Sequence, residues 1–308
     1  MPNAKSSSYI VMDLGGTHLR LGIADAQQID RHQTLRWPTG LTPEGEVQYL
    51  ADQARQLLDE GSSCDQLAAI GVSLAASVNA AGQVVRWPNR PAWQGLPFQS
   101  LLESELQAPV AIEDDANAAA LAECRFGAAT GLDNLAVITV GTGIGAGLVL
   151  GGQLFPGTHG WAGEIGHMTL QPGGPACSCG RRGCLQALAS GRSLDQAART
   201  LGLTDGQALS RAAGAGNQAA RKEIRTAADW LGIAAAGVSN LLDLQAVVIA
   251  GIPLQVPQYW RALHSSFKAH VIARDTDTAV LLPSQFRGTA GLHGALSIAV
   301  AATPCVAV

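Results

Sequence analysis

The chain has 308 residues, 47% hydrophobic and 14% charged, with a net charge of −4. That size and apolar share suit one or two globular domains with sizeable cores. Three lysines (Lys5, Lys222, Lys268) stand against seventeen arginines with no basic face, which argues against nucleic acid as a partner.

In chain order, "SYIVMDL" reads as a strand, "GGT" as a turn and "HLRLGIA" as a second strand, a β-hairpin. The apolar run before that turn is too short for a signal peptide. "EGEVQYLADQARQLLDE" has helical apolar spacing, and "DANAAALAECRFG" predicts an alanine-rich helix with Gly127 at its C-cap. "LAVITV" (Leu135–Val140) is a strand, "GTGIGAG" a glycine loop, and "LVLGGQLF" one further strand. Two strand–glycine-turn–strand units therefore recur, and "VVIAGI" (Val247–Ile252) ends a third strand in glycine. Helices are predicted in "RSLDQAARTL" and "QAARKEIRTAADWLGIAAAGVSNLL". Alternating strands and helices predict an α/β protein with two halves, each turning a glycine loop toward a shared cleft. The apolar stretch Trp230–Leu254 holds Ser239, Asn240, Asp243 and Gln245 near its middle, groups that lipid would penalise, so it reads as a buried helix followed by a strand. No membrane partner and a cytoplasmic location are expected.

"DLGGTHLR" carries the first candidate chemistry. Gly15 and Gly16 permit a tight turn whose N–H groups, with the Thr17 hydroxyl, suit phosphate oxygens, and Asp13 suits Mg²⁺. "GTGIGAG" superficially resembles a dinucleotide fingerprint, but a strand-like segment follows where a helix is required. A second phosphate hairpin, with Thr142 and Gly143 at its tip, fits better. No GxxxxGK[ST] exists and no lysine lies in these loops, which excludes the P-loop mechanism.

"IEDDANAAALAE" sets Asp114 and Asp115 at a helix start, where an aspartate suits either plain N-capping or the role of a base for an attacking hydroxyl. Sequence chemistry does not choose between them. Of six cysteines, Cys64, Cys124 and Cys305 are scattered and read as ordinary thiols. Cys177, Cys179 and Cys184 follow His167 in an H-x9-C-x-C-x4-C pattern. One imidazole and three thiolates complete a closed tetrahedral site for structural Zn²⁺, and the thioredoxin-like C-x-x-C context is absent.

Together "DLGGTHLR", "EDDANAAALAE", "TVGTGIGAGLVLGGQLFPGTHGWAGEIGH", "CSCGRRGCLQALASGR" and "GTAGLHGA" resemble the ROK family of repressors and sugar kinases, over nearly the whole chain. The resemblance implies the actin-like, ribonuclease-H-like ATPase fold. It implies an N-terminal α/β domain of residues 1–114 plus 292–308, a second of residues 115–291 with the zinc motif, and a homodimer. It makes Asp115 the base and Asn89, Asp114, Glu164, His167 and Gln186 sugar contacts. His167 then serves zinc through one ring nitrogen and sugar through the other. Gly251 and the "AGLHG" turn resemble the adenosine site. Three positions depart from the family pattern. Ala75-Ala76 replaces Pro-Gly, Asp114 replaces Asn, and Gln186 replaces a Glu that contacts the sugar near O1 and O2.

The implied activity is an ATP- and Mg²⁺-dependent sugar kinase acting on a primary hydroxyl. Glucose leads; N-acetylmannosamine, N-acetylglucosamine, an amino sugar such as kanosamine, or a cyclitol remain open, as does polyphosphate in place of ATP. A transcriptional repressor needs a DNA-binding region, for which the seven residues before the first strand are expected to leave no room. A non-catalytic sugar sensor is the third alternative.

Overall fold

The computed structural model describes residues 7–60, 66–272, 279–286 and 288–303. Cys64 and Cys305 lie outside the described residues. The chain forms two compact units, Met1–Arg125 with Gly288–Val308, and Phe126–Arg287. The helix that opens at Asp115 thus lies in the first unit as far as Arg125.

In the first unit, β1 (Ser7–Leu14) pairs antiparallel with β2 (His18–Ala24), which pairs with β3 (Ile29–Arg36). β3 alternates half-buried and exposed residues, as an edge strand with one solvated face does. α1 (Pro43–Asp59) starts with proline, and the Thr42 hydroxyl accepts the Gly45 N–H at 3.2 Å. It returns the chain to β4 (Gln66–Leu74), parallel to β1. A ribbon of β5 (Ser77–Val78) and β6 (Val84–Arg86) precedes α2 (Phe98–Leu106), β7 (Val110–Asp114) and α3 (Asp115–Phe126). The sheet order is β3-β2-β1-β4-β7. Because β1, β4 and β7 are parallel, their C-terminal ends share one edge. Register pairs Asp13 with Ser73 and Leu74 with Asp114. Ligands of open α/β sheets gather at that edge.

The second unit repeats the plan with β8 (Leu135–Val140), β9 (Ile144–Leu150) and β10 (Gln153–Leu154). The expected single strand "LVLGGQLF" is broken in two. Gly151 and Gly152 adopt φ of 60° and 75°, the two-residue turn that favours glycine, so β9 and β10 form a hairpin. The chain continues through α4 (Leu185–Ala189), α5 (Gly191–Thr200), α6 (Gly206–Gly214) and the long α7 (Gln218–Leu242). It closes with β11 (Ala246–Gly251), α8 (Ile252–Gln255), α9 (Pro257–His270) and β12 (Val280–Pro283). The order β10-β9-β8-β11-β12 copies the first sheet: an antiparallel pair on one side of the first strand, parallel strands on the other. The core here is aliphatic and alanine-rich, from α7, α9 and the sheet. Trp230–Leu254 is the end of α7, then β11 and most of α8. No helix of the described residues is long and apolar enough to cross a membrane. Finally, α10 (Ala290–Ala302) packs on β1 and β4 of the first unit.

Candidate active site

Three carboxylates of the first unit stand at the shared strand edge. Asp13, next to last in β1, accepts from Arg20 Nη1 at 2.8 Å and from Ser73 Oγ at 3.4 Å. Burial lifts its carboxyl above the usual range, against the pull of Arg20 and Ser73. Asp114 ends β7, and its Oδ1 accepts the N–H groups of Ala116 and Asn117, both at 2.9 Å. That is the N-cap of α3. Asp115, one residue on, keeps its side chain in contact with solvent. Its carboxyl is pushed up to about 7, first by desolvation and then by the charges of Asp114 and Asp13. Water still reaches the side chain, so the enclosure is that of a protein-crowded surface and not of a sealed core. Burial also raises Asp114 and the adjacent Glu113, whose Oε2 accepts from Asn117 Nδ2 at 3.1 Å. All four carboxyls hold protons more tightly than usual, a state that a cation would reverse.

The first glycine hairpin is anchored from behind. Trp37 Nε1 donates to the Gly15 carbonyl at 2.8 Å. Trp37, Trp87 and Trp93 pack edge to face with centroids 4.9–5.8 Å apart. The Arg90 guanidinium lies 4.1 Å over the Trp37 ring and is ion-paired with Glu46, which also accepts from Trp93 Nε1 at 2.5 Å. Asn89, beside Arg90, rests directly on Gly16. A Cβ at Gly16 would stand 2.7 Å from Asn89 Cβ and 2.6 Å from its Nδ2. Gly16→Ala is therefore expected to displace Asn89 and to lower stability by about 1–3 kcal/mol, the usual overpacking cost, read by denaturant unfolding. Thr17 presents an exposed side chain at the turn.

In the second unit, Thr142 and Gly143 lie between β8 and β9. The short turn Ile165–His167 brings Glu164 and His167 together, with Glu164 Oε2 3.7 Å from His167 Nε2. The other ring nitrogen, Nδ1, faces Cys177 Sγ at 3.7 Å, and Cys179 Sγ lies 3.7 Å from Cys184 Sγ. The four ligand atoms lie within 4.8 Å of one another. Tetrahedral Zn–S bonds of about 2.3 Å set sulfurs about 3.8 Å apart, so the cluster has the dimensions of a zinc site. Burial works against ionisation of Cys177, but the Cys179 backbone N–H and the Gln186 amide lower it to about 6. Burial and then the other two thiols raise Cys184 to about 11.

Two cavities open in this unit. One of about 490 Å³ is bounded in part by Thr142, Gly143, Cys177, Gln186, Arg192 and Arg199. Another of about 450 Å³ includes Thr142, Arg192, Arg211, Ile252 and Gln255. Gly251, at φ 90°, ends β11 immediately before Ile252.

The residues singled out in the sequence thus form two groups. Asp13, Gly15, Gly16, Thr17, Asn89, Asp114 and Asp115 belong to the first unit. Thr142, Gly143, Glu164, His167, the three cysteines, Gln186 and Gly251 belong to the second. Sequence reasoning missed Arg20, Ser73, Glu46 and Arg90. Arg20 had a signal: in a hairpin turning at Gly16-Thr17, position 20 is the cross-strand partner of position 13. The other three join through long-range contacts with no local signature.

Two sheets of the same order, each opening on a glycine hairpin, with carboxylates at the strand edge of the first, define an actin-like, ribonuclease-H-like ATPase fold. Within that class the chain belongs to the ROK family, whose sequence profile matches residues 9–302. It is 34% identical over 299 residues to the kanosamine kinase of Amycolatopsis mediterranei, covering 94% of this chain and 95% of that protein. A ROK hexokinase from Thermus thermophilus superposes with a TM-score of 0.87 at 35% identity, covering 96% and 98% of the two chains. A ROK family glucokinase from Streptomyces griseus, in complex with glucose and AMPPNP, gives a TM-score of 0.79 at 30% identity, covering 96% and 100%.

Proposed function

We propose that the protein is an ATP-dependent kinase that phosphorylates the primary hydroxyl of a hexose-like sugar, glucose or an amino sugar. The carrying observation is the division of labour at the start of α3. Asp114 is committed to the helix cap, while Asp115 meets solvent with its proton affinity raised toward neutrality. A base poised near the working pH is what proton transfer from a hydroxyl requires. Similarity to proteins named kanosamine kinase, hexokinase and glucokinase supports the substrate class.

Asp115 takes the proton from the sugar hydroxyl as its oxygen attacks the γ-phosphorus in line. The bond to the β–γ bridging oxygen breaks and ADP leaves. Backbone N–H groups of Gly15, Gly16 and Gly143, with the Thr17 and Thr142 hydroxyls, hold phosphate oxygens where no lysine is present. Asn89, Asp114, Glu164 and Nε2 of His167 orient the sugar, and the cavity beside Gly251 and Ile252 receives the adenosine. Asp13 would hold Mg²⁺, which neutralises charge on the transferred group; its hard carboxylate oxygens fit such an ion, and binding would displace the proton that burial favours. His167, Cys177, Cys179 and Cys184 would hold Zn²⁺, which with four protein ligands supplies no open position and serves as structure. Unpaired thiols in that cluster suit a reducing cytoplasm. We also propose a homodimer, to be checked by light scattering.

The deciding experiment measures sugar phosphate formed from glucose, kanosamine, N-acetylmannosamine, N-acetylglucosamine and a cyclitol, with ATP or polyphosphate as donor. Phosphorylation of glucose or an amino sugar by ATP is expected. No product from any sugar overturns the reading. The kcat/KM for the sugar should rise with pH through about 7, where Asp115 loses its proton, and level off above. A profile flat from about pH 6 to 8 removes Asp115 as the base.

A further inference from the structure

Gln186 stands where the resemblance places a sugar-contacting glutamate, yet its amide is committed elsewhere. Nε2 donates to Cys177 Sγ at 3.2 Å and to Ser178 Oγ at 3.0 Å, so both amide hydrogens are used. Oε1 looks toward the second glycine hairpin; a methyl group on Gly143 would lie 3.1 Å from it. The backbone explains this placement. Thr169 bridges to Cys184, and α4 starts at Leu185, so Gln186 sits in the first turn after the last sulfur. A glutamate in the same rotamer has no N–H to donate, and its charge would face a thiolate.

We propose that Gln186 is a positioning residue of the metal clip. Its N–H···S bond holds the Cys177 thiolate in the ligand arrangement, and the same side chain joins the clip to the hairpin tip at Gly143. The proposal rests on the zinc reading above. It also inverts the role that the resemblance assigns to this position: the side chain serves the metal ligand, not the sugar. A hydrogen bond to a thiolate draws off part of its negative charge and fixes its direction. Losing such an outer partner typically weakens metal affinity about 10–100-fold.

The test compares zinc-loaded wild type with Gln186→Glu and Gln186→Ala. Zinc content is measured first, then zinc affinity by competition with a chromogenic chelator. Wild type is expected to carry one zinc per chain, and both variants to bind it about 10–100-fold more weakly. Co²⁺-substituted protein gives a second readout. Removing an N–H···S bond makes the thiolate a stronger donor, so the sulfur-to-cobalt charge-transfer band shifts to lower energy in both variants. A residue that merely fills space leaves that band unmoved in the isosteric Gln186→Glu. Wild type without zinc overturns the metal reading itself. Zinc held equally tightly in all three, with relative kcat/KM across the sugars altered in Gln186→Glu, leaves the metal reading standing. It overturns this proposal in favour of direct sugar contact.

Discussion

Asp115→Asn is expected to lower kcat by about two to four orders of magnitude while leaving sugar affinity near wild type. Asparagine matches aspartate in size and still offers hydrogen bonds, but it does not accept a proton. Isothermal titration with the sugar, alongside single-turnover phosphoryl transfer, separates binding from chemistry. Near-normal turnover would move the base to another member of the cluster, with Asp114 first in line. The same variant carries a stability signature of defined sign. The folded-state pKa of Asp115 is raised, so its contribution to stability is fully present below the ordinary aspartate range. That contribution is lost as pH rises through about 7. Above that pH the wild type carries an ionised carboxylate beside Asp114 and Asp13, and the amide removes that repulsion. Asp115→Asn should therefore melt at a higher temperature than wild type at pH 8, and the gap should close toward pH 4. A group tuned for proton transfer at the expense of folding behaves this way.

Glu46→Ala is expected to destabilise the first unit by about 3–5 kcal/mol. Glu46 is 7% exposed and its partner Arg90 17%. Removing the carboxylate leaves a guanidinium among tryptophan rings with its charge unanswered, and deprives Trp93 Nε1 of its acceptor. Breaking one partner of a buried pair costs far more than the pair contributes net. The consequence extends to function, because Asn89 is the neighbour of Arg90 and Trp37 holds the Gly15 carbonyl. Loosening the tryptophan cluster should raise KM for sugar and ATP together with little change in kcat. Differential scanning calorimetry and steady-state kinetics check the two halves. The Glu46→Ala/Arg90→Ala double variant should recover part of the lost stability, since no uncompensated charge remains. Additive losses would mean that the pair is not coupled.

What was legible in the chain lies close together in it. The two glycine hairpins show because strand, turn and strand occupy contiguous residues. The metal cluster shows because its donors fall within eighteen consecutive positions, His167 to Cys184. The family resemblance rests on such local blocks. One local reading went astray, at Gly151-Gly152, because an apolar stretch with two glycines fits a continuous strand as well as a tight hairpin. Only positive φ at both residues separates the two.

The sequence by itself determined the chemical inventory: carboxylates at a helix start, phosphate-binding turns without lysine, one imidazole and three thiols at metal-ligand spacing. Tertiary structure decided how that inventory is used. Parallel pairing of β1, β4 and β7 brings Asp13, Ser73 and the aspartate pair to one edge from positions some hundred residues apart. The start of α3 gives the cap to Asp114 and leaves Asp115 open, a choice between chemically identical neighbours that depends on which carboxylate meets the free N–H groups. Glu46 finds Arg90 and Trp93 only because the chain folds back on itself, and no spacing rule anticipates a contact 44 residues long. Gln186 shows the same limit at its smallest scale. Its identity was plain in the sequence, but whether its amide faces a sugar or a sulfur depends on a side-chain direction set by the turn around Cys184.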